Sequence, residues 1–471
     1  MTISLILIPI LLVFALNIPR VSGKTAYYAA LAFFAWQLAS VFFPCLGSQQ
    51  FAGLAGKFFS FNIAADGISE IMIVSASVVA FVSLMTSKVF STSDGKLFSL
   101  SNLMLLCIAG INGLVFAKDA FTMYVFIEVI AVASYIMISL DKKVGALEGG
   151  FKYLIISSIA TVMMLFSVAL FFLAAGGTGF AEISAAVKDY GSNGIVLIAI
   201  ILFMCGLLIK GGLVPFHSWL SGAYSQAPAG VSVFLGGIIT KTTGVFTLIR
   251  FLDSVTGFNG EIKTVLLITG ALSVVGGALI AIVQKDFKRV LAYSSISQVG
   301  YIVLALGAGT ALGVAAALFH IFNHAIFKSL LFVNSASVEK QTGRLDVDSF
   351  GGLGYKMPIT STTTAIAFLS ASGIPPFSGF WSKLLIVLAL WSAGYQGFAV
   401  LAVLASLLTM AYFVTLQKKV FFGELSPSLE NVSEAPKSLT VPAIILGGIT
   451  IAVGLLFPLV LKYFILPAAG L

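Results

Sequence analysis

Charge is scarce in this chain. Only 9% of its 471 residues are Asp, Glu, Lys or Arg, while 59% are hydrophobic. That balance excludes a soluble globular domain, and with a mean hydropathy of +1.08 it marks an all-α polytopic membrane protein. Cysteine and histidine are scarcer still, with three of each. Cys45, Cys107 and Cys205 stand apart with no CxxC spacing, which argues against an iron–sulfur site or a disulfide framework. Long polar stretches are missing as well. The longest, Gly423 to Ser438, suits an inner-side loop, so no soluble domain is expected. No basic residue precedes the first apolar run, and Arg20 and Lys24 follow it. This reads as a retained helix with its N-terminus outside, not a cleavable signal.

A membrane span needs about 20 apolar residues. Fourteen stretches qualify, near 2–19, 26–46, 66–88, 99–117, 120–140, 152–176, 194–225, 228–252, 262–283, 287–308, 310–336, 357–393, 396–421 and 440–465. The seventh and twelfth are interrupted. Residues 51–62 are too short and broken to span and are expected to form an extended or re-entrant outer segment. The net charge of +8 could suggest an anionic partner, but its distribution answers otherwise. With the N-terminus outside, the inner loops hold 15 Lys and Arg and the outer loops 6. This positive-inside bias puts both termini outside and involves no nucleic acid. The other five of the 26 basic residues, Lys152, Lys210, Lys241, Lys328 and Lys383, fall inside spans.

An intramembrane lysine costs about 2.5–3.5 kcal/mol at a helix centre, so it is not kept for stability alone. Lys210 and Lys241 flank a segment broken by Gly211, Gly212 and Pro215. Broken helices in lipid are tolerated only where protein or a wet cavity satisfies the freed backbone. Pro375 and Pro376 break the twelfth span, and Lys383 follows. Two breaks five spans apart imply two five-helix units, inverted because the number is odd, over 99–253 and 262–421. Residues 1–98 would form scaffold helices and 440–471 a final helix.

Other polar groups share this depth. Glu128 lies near the middle of the fifth span, too deep to snorkel, and must be neutral, paired or wet. Lys152 lies within two turns of the inner surface, where snorkelling competes with a role in a path. Asp66 and Glu70 open the third span, where acids are ordinarily hydrated. Ser294, Ser297, Gln298 and Tyr301 form one stripe at i, i+3, i+4 and i+7, suited to lining water or to packing. His320, His324 and Lys328 recur at i, i+4 and i+8, about 6 Å apart along one helix face, close enough for single waters to bridge them. A histidine pair at that spacing also suits a metal or haem, but a lysine one turn on repels a metal, and satisfied core histidines are the plainer alternative. No metal, flavin, NAD or hydrolytic constellation is visible, so no cofactor is expected in this chain.

These stretches together resemble one family: the antiporter-like membrane subunits shared by respiratory complex I, group 4 membrane-bound hydrogenases and Mrp-type Na+/H+ antiporters. The resemblance rests on the Glu128 helix, LIKGGLVPFHSWLSGAYSQAPAGVSVFLGGIITKTTGV, QKDFKRVLAYSSISQVGYI, FHIFNHAIFKSLLF and SGIPPFSGFWSKLLI, and extends over most of residues 100–395. The last segment looks most like Mrp D-type and hydrogenase-associated members, with Lys383 where some complex I members carry glutamate. The resemblance implies a hydrated polar axis at mid-membrane: Glu128 paired with Lys210, Lys241 bridging, His320, His324 and Lys328 connecting, and Lys383 facing the exit. It also implies protons or Na+ as cargo, other membrane subunits as partners, and a prokaryotic cytoplasmic membrane. The redox chemistry of any such complex would lie in other subunits. A free-standing solute transporter and an inert scaffold are the alternatives; titratable groups in series favour protons over the first, and the cost of burying them argues against the second.

Overall fold

The computed structural model describes residues 2–18, 21–42, 49–51, 61–189 and 194–471. Cys45, Lys57, Arg20 and the central part of the expected outer segment, residues 52–60, lie outside these. The described chain is built of helices apart from one antiparallel pair, β1 (Gln49–Phe51) and β2 (Phe61–Ile63). The helices run α1 (Thr2–Asn17), α2 (Gly23–Ser40), α3 (Gly67–Phe90), α4 (Asp94–Phe116), α5 (Ala120–Ser139), α6 (Val144–Ala175), α7 (Phe180–Asp189), α8 (Gly194–Gly211) and α9 (Ser218–Gln226). They continue as α10 (Ala229–Thr256), α11 (Gly260–Ile282), α12 (Phe287–Gly307), α13 (Ala311–Thr342), α14 (Pro358–Ser372), α15 (Ser378–Ser392), α16 (Gln396–Phe421), α17 (Lys437–Leu455) and α18 (Phe457–Ala468). Each of the fourteen expected stretches holds one helix or a helix pair. Among the described residues, eleven helices are long and apolar enough to cross a membrane. The chain is an integral, multi-pass membrane protein. Helix α7, ten residues long, was not expected.

Burial sorts the helices into a centre and a rim. The apolar window of α10 is 100% buried and those of α12 and α13 are each 94% buried, whereas α6 and α16 are 39% buried. The three central helices carry the large buried polar side chains Lys241, Gln298, His320, His324 and Lys328. Lipid-facing helices can be apolar all round, but a central helix can carry polar groups because neighbouring helices satisfy them.

Freed carbonyls show how the scaffold is tied. Pro9 lies inside α1 and cannot donate to the carbonyl of Leu5, four residues earlier. Asn112 of α4 fills the gap, its Nδ2 donating to Leu5 O at 2.7 Å and to Gln37 Oε1 of α2 at 2.9 Å. Gln37 Nε2 donates back to Asn112 Oδ1 at 3.1 Å. One buried amide pair thus joins α1, α2 and α4. Asn112→Leu leaves the Gln37 amide and the Leu5 carbonyl unpaired, and is expected to destabilise the chain by about 2–3 kcal/mol, measured as a fall in denaturation midpoint in detergent. Pro458 similarly frees the carbonyl of Gly454, which accepts from Trp381 Nε1 at 2.9 Å, and the Trp381 ring stacks on Phe457 at 4.3 Å. This docks the α17–α18 joint onto α15.

The two breaks have the same local build. After α8, Gly212 adopts φ +67° and Leu213 N donates to Leu208 O. After α14, Gly373 adopts φ +81° and Ile374 N donates to Leu369 O. Both are helix ends closed by a left-handed glycine and a backbone bond reaching back across it. Gly-Leu-Val-Pro-Phe at 212–216 then matches Gly-Ile-Pro-Pro-Phe at 373–377. A proline follows each closed end, and a second helix, α9 or α15, begins after it.

Candidate functional site

The site begins with Lys210, in the last turn of α8 just before the first break. Its side chain is 1% exposed and its Nζ lies 3.8 Å from Glu128 Oε1 of α5, a charge pair without a hydrogen bond. The ammonium instead donates to Ser157 Oγ of α6 at 2.6 Å. Two oxygens from two helices therefore compete for one cation. Glu128 is itself 36% exposed, at the middle of an apolar helix.

Lys241 is fully buried on α10. Its Nζ donates to the carbonyl of Gly236, within the π-helical stretch Leu235–Ile239, and a second such stretch runs Lys241–Phe246. π-helical turns leave carbonyls poorly matched along the helix and recur at functional sites. Gly244 brings α10 against the end of α8: a Cβ there would stand 2.3 Å from the backbone of Gly211. Only glycine at this crossing allows the two lysine-bearing segments to approach so closely.

Helices α12 and α13 continue the polar line. Lys328 Nζ donates to Ser294 Oγ at 2.6 Å and to Leu291 O at 2.8 Å. His320 bonds Gln298 Oε1 at 3.1 Å and Ser382 Oγ at 2.9 Å through its two ring nitrogens. The His320 and His324 rings stack with centroids 6.2 Å apart. Both nitrogens of His324 are buried without a partner, as are Gln298 Nε2, Asn323 Oδ1, Ser329 Oγ and Tyr412 Oη. Buried polar atoms in such numbers are ordinarily held by ordered water. Lys383 closes the line on α15, beyond the second break. Its Nζ donates to Ser406 Oγ at 3.3 Å and lies 4.3 Å from the centre of the Tyr301 ring, whose hydroxyl lies 3.0 Å from the same Ser406 oxygen.

The structure thus gathers Glu128 with Lys210, Lys328 with Ser294, His320 with Gln298, and Lys383 with Tyr301. It does not bring in two candidates. Lys152 is exposed on α6, paired with Glu148 at 2.5 Å, as snorkelling predicts. Ser297 donates to Val274 O of α11 at 2.9 Å and serves packing. Pro215, Pro375 and Pro376 are exposed at the breaks, while Gly211 is buried. Ser157, Ser382, Ser406 and Tyr412 belong to the line and were not singled out by sequence. Among the described residues no cluster of three or more His, Cys, Asp or Glu is placed to hold a metal.

A second cluster stands at the Asp66 end of the molecule. Asp66 caps α3 through Ser69 N, and accepts from Arg250 Nη1 at 2.5 Å and Nη2 at 2.9 Å and from Lys118 Nζ at 2.6 Å. Asp66 is therefore paired rather than simply hydrated, and Arg250, near the end of α10, is 2% exposed. Burial raises the pKa of Asp66, but the Arg250 and Lys118 cations outweigh it and hold the carboxyl well below its usual range.

Fold and site together define an integral membrane protein of the antiporter-like class, with two interrupted helices on either side of a buried lysine–histidine line. Residues 117–409 match the family model described as the transmembrane part of NADH:quinone oxidoreductase and the Mrp antiporter, and the chain belongs to that family. It is 31% identical to the D-type subunit of the Na(+)/H(+) antiporter of Alkalihalophilus pseudofirmus, over 84% of this chain and 80% of that one. It is 34% identical to the N-type subunit of the NADH-quinone oxidoreductase of Desulforudis audaxviator, over 75% of this chain and 73% of that one. A chain of the Mrp complex of Dietzia sp. superposes with a TM-score of 0.90 at 24% identity, covering 100% of this chain and 97% of that one.

Proposed function

We propose that this chain is a proton- or Na+/H+-translocating subunit of a multi-subunit membrane complex, and that its ion moves along Glu128, Lys210, Lys241, His324, Lys328, His320 and Lys383. The observation that carries this reading is Lys210, held between Glu128 at 3.8 Å and Ser157 at 2.6 Å. An ammonium with two competing oxygens can shift its pairing. When Glu128 pairs elsewhere, the charge favouring protonated Lys210 is withdrawn and its proton is released toward Lys241. Water at the orphan nitrogens of His324 would carry the proton on, and Lys383 would deliver it.

Partners follow from the same chemistry. A carboxylate one-third exposed at the middle of an apolar helix is not left in lipid. Nor is irregular backbone at membrane depth, such as the exposed Pro215, Pro375 and Pro376. Other membrane subunits cover these positions, as the two curated relatives, each named as a subunit, suggest. The repeated Gly-x-x-Pro-Phe breaks support two inverted units, residues 99–253 and 262–421, within fourteen spans. The bias of basic residues supports both termini outside, and the bacterial relatives support a prokaryotic cytoplasmic membrane.

The test is Lys210→Ala in the assembled complex in sealed vesicles. Ion flux falls by about a hundredfold or more, the scale on which loss of one proton-transfer group acts, while subunit composition is unchanged. Glu128→Gln weakens flux with assembly intact. Unchanged flux in Lys210→Ala refutes the reading.

A further inference from the structure

A cleft of about 390 Å³ opens between α2, α3, α13 and the α17–α18 joint, lined by Phe42, Glu70, Val74, Phe322, Val453 and Tyr463 among others. It follows α3 from Gly67 to Val74, a length of about 10 Å. All of its large side chains are apolar or aromatic except one. Glu70, in the first turn of α3, has no ion pair and no side-chain hydrogen bond among the described residues, whereas Asp66 one turn earlier holds two cations. Lys462 does not itself line the cleft, but its Nζ lies 5.3 Å from the ring centre of Tyr463, which does.

We propose that this cleft is a binding site for an aminophospholipid, phosphatidylethanolamine, from the leaflet on the Asp66 side. The primary ammonium of the headgroup donates charge-assisted hydrogen bonds to Glu70. The phosphate sits toward Lys462 and the Tyr463 hydroxyl. One acyl chain fills the apolar floor against Val74 and Phe322. A zwitterion is chosen over other lipids by this pair of charges. A quaternary choline headgroup has no N–H to donate, and an anionic headgroup would meet the unpaired carboxylate. The floor matters for the rest of the molecule because Phe322 precedes Asn323 and His324 on α13, so a seated chain braces the helix that carries the histidines.

The experiment is native mass spectrometry of the assembled, delipidated complex, titrated with phosphatidylethanolamine, phosphatidylcholine or phosphatidylglycerol of the same acyl composition. Wild type is expected to retain one phosphatidylethanolamine per copy of this chain, with the other two at detergent background. Glu70→Gln weakens that adduct about tenfold, as loss of a charge-assisted bond would. Val74→Trp, which fills the floor, removes it. Equal retention of the three lipids by wild type overturns the proposal without need of any variant, as does preference for phosphatidylglycerol. An adduct that survives Glu70→Gln unchanged overturns it too, because the cleft would then be an unselective apolar groove. Absence of any adduct on wild type, with a helix of another subunit cross-linking to Val74→Cys, gives the cleft to protein and likewise refutes it.

Discussion

Replacing Lys241 by methionine is expected to stop ion movement altogether, lowering flux in vesicles by about a hundredfold, within the range for removal of an essential proton-transfer group. The reason is position. Lys241 is fully buried on the one helix whose apolar window is completely enclosed, and that helix lies between the Glu128–Lys210 pair and the α13 histidines. Methionine keeps the length and packing of the stem, so no large cavity opens. The structural penalty is the carbonyl of Gly236 left without its donor, about 1–3 kcal/mol, which a complex of many subunits tolerates. Assembly and flux are therefore expected to separate, with normal subunit stoichiometry on a native gel beside flux at the background of empty vesicles. Lys241→Arg does not restore flux, since a guanidinium stays charged and cannot hand on a proton.

The second large effect concerns stability. Asp66→Asn keeps a good helix cap but strips the charge that faces Arg250 and Lys118. Arg250 is 2% exposed, so its guanidinium is left nearly uncompensated. Breaking a buried pair from one side costs about 3–5 kcal/mol, and because Asp66 is itself one-third exposed the lower figure is expected. The pH dependence has a definite sign. The carboxyl of Asp66 is held below its ordinary value in the folded chain, so its contribution is complete above about pH 4, the usual range of an aspartate, and is lost progressively as pH falls further. Thermal unfolding followed from pH 7 down to pH 3 should show a steeper loss for wild type than for Asp66→Asn. Parallel curves would mean that the clasp does not contribute.

The charged members of the line were legible in sequence because each is an expense inside an apolar helix. Glu128, Lys210, Lys241, His320, His324, Lys328 and Lys383 announce themselves against their neighbours. The serines do not. Ser75, Ser77, Ser101 and Ser134 bond their own helix backbone four residues back, which is what serine ordinarily does in an apolar helix. Nothing local separates them from Ser157, which meets Lys210 from 53 residues away. Lys152, left open between snorkelling and a role in a path, has an exposed partner one turn away in Glu148.

Distance along the chain hid the Asp66 cluster. Arg250 and Asp66 are 184 residues apart, and each alone looks like a hydrated charge at a span end. The scaffold ties were hidden in the same way. Pro9 advertises a freed carbonyl, but which of several polar residues answers it depends on packing, and Asn112 does so from 107 residues away. The repeat proposed above was legible only as two breaks. Its glycine and proline positions, 212–216 and 373–377, agree once the left-handed glycines are seen to close both helices. The spans themselves were the easiest part to read, because hydropathy alone delimits them; α7, short and amphipathic, falls below that signal.

The central claim is that one continuous path joins the two halves of the chain. The most direct test compares initial rates of proton translocation in sealed vesicles containing the assembled complex with Lys210→Ala, Lys383→Ala, or both. A single path predicts the same loss for either end and no further loss for the double variant, since a chain cut once conducts no better than a chain cut twice. Full flux in Lys383→Ala, or losses that multiply in the double variant, would show two independent routes and contradict it.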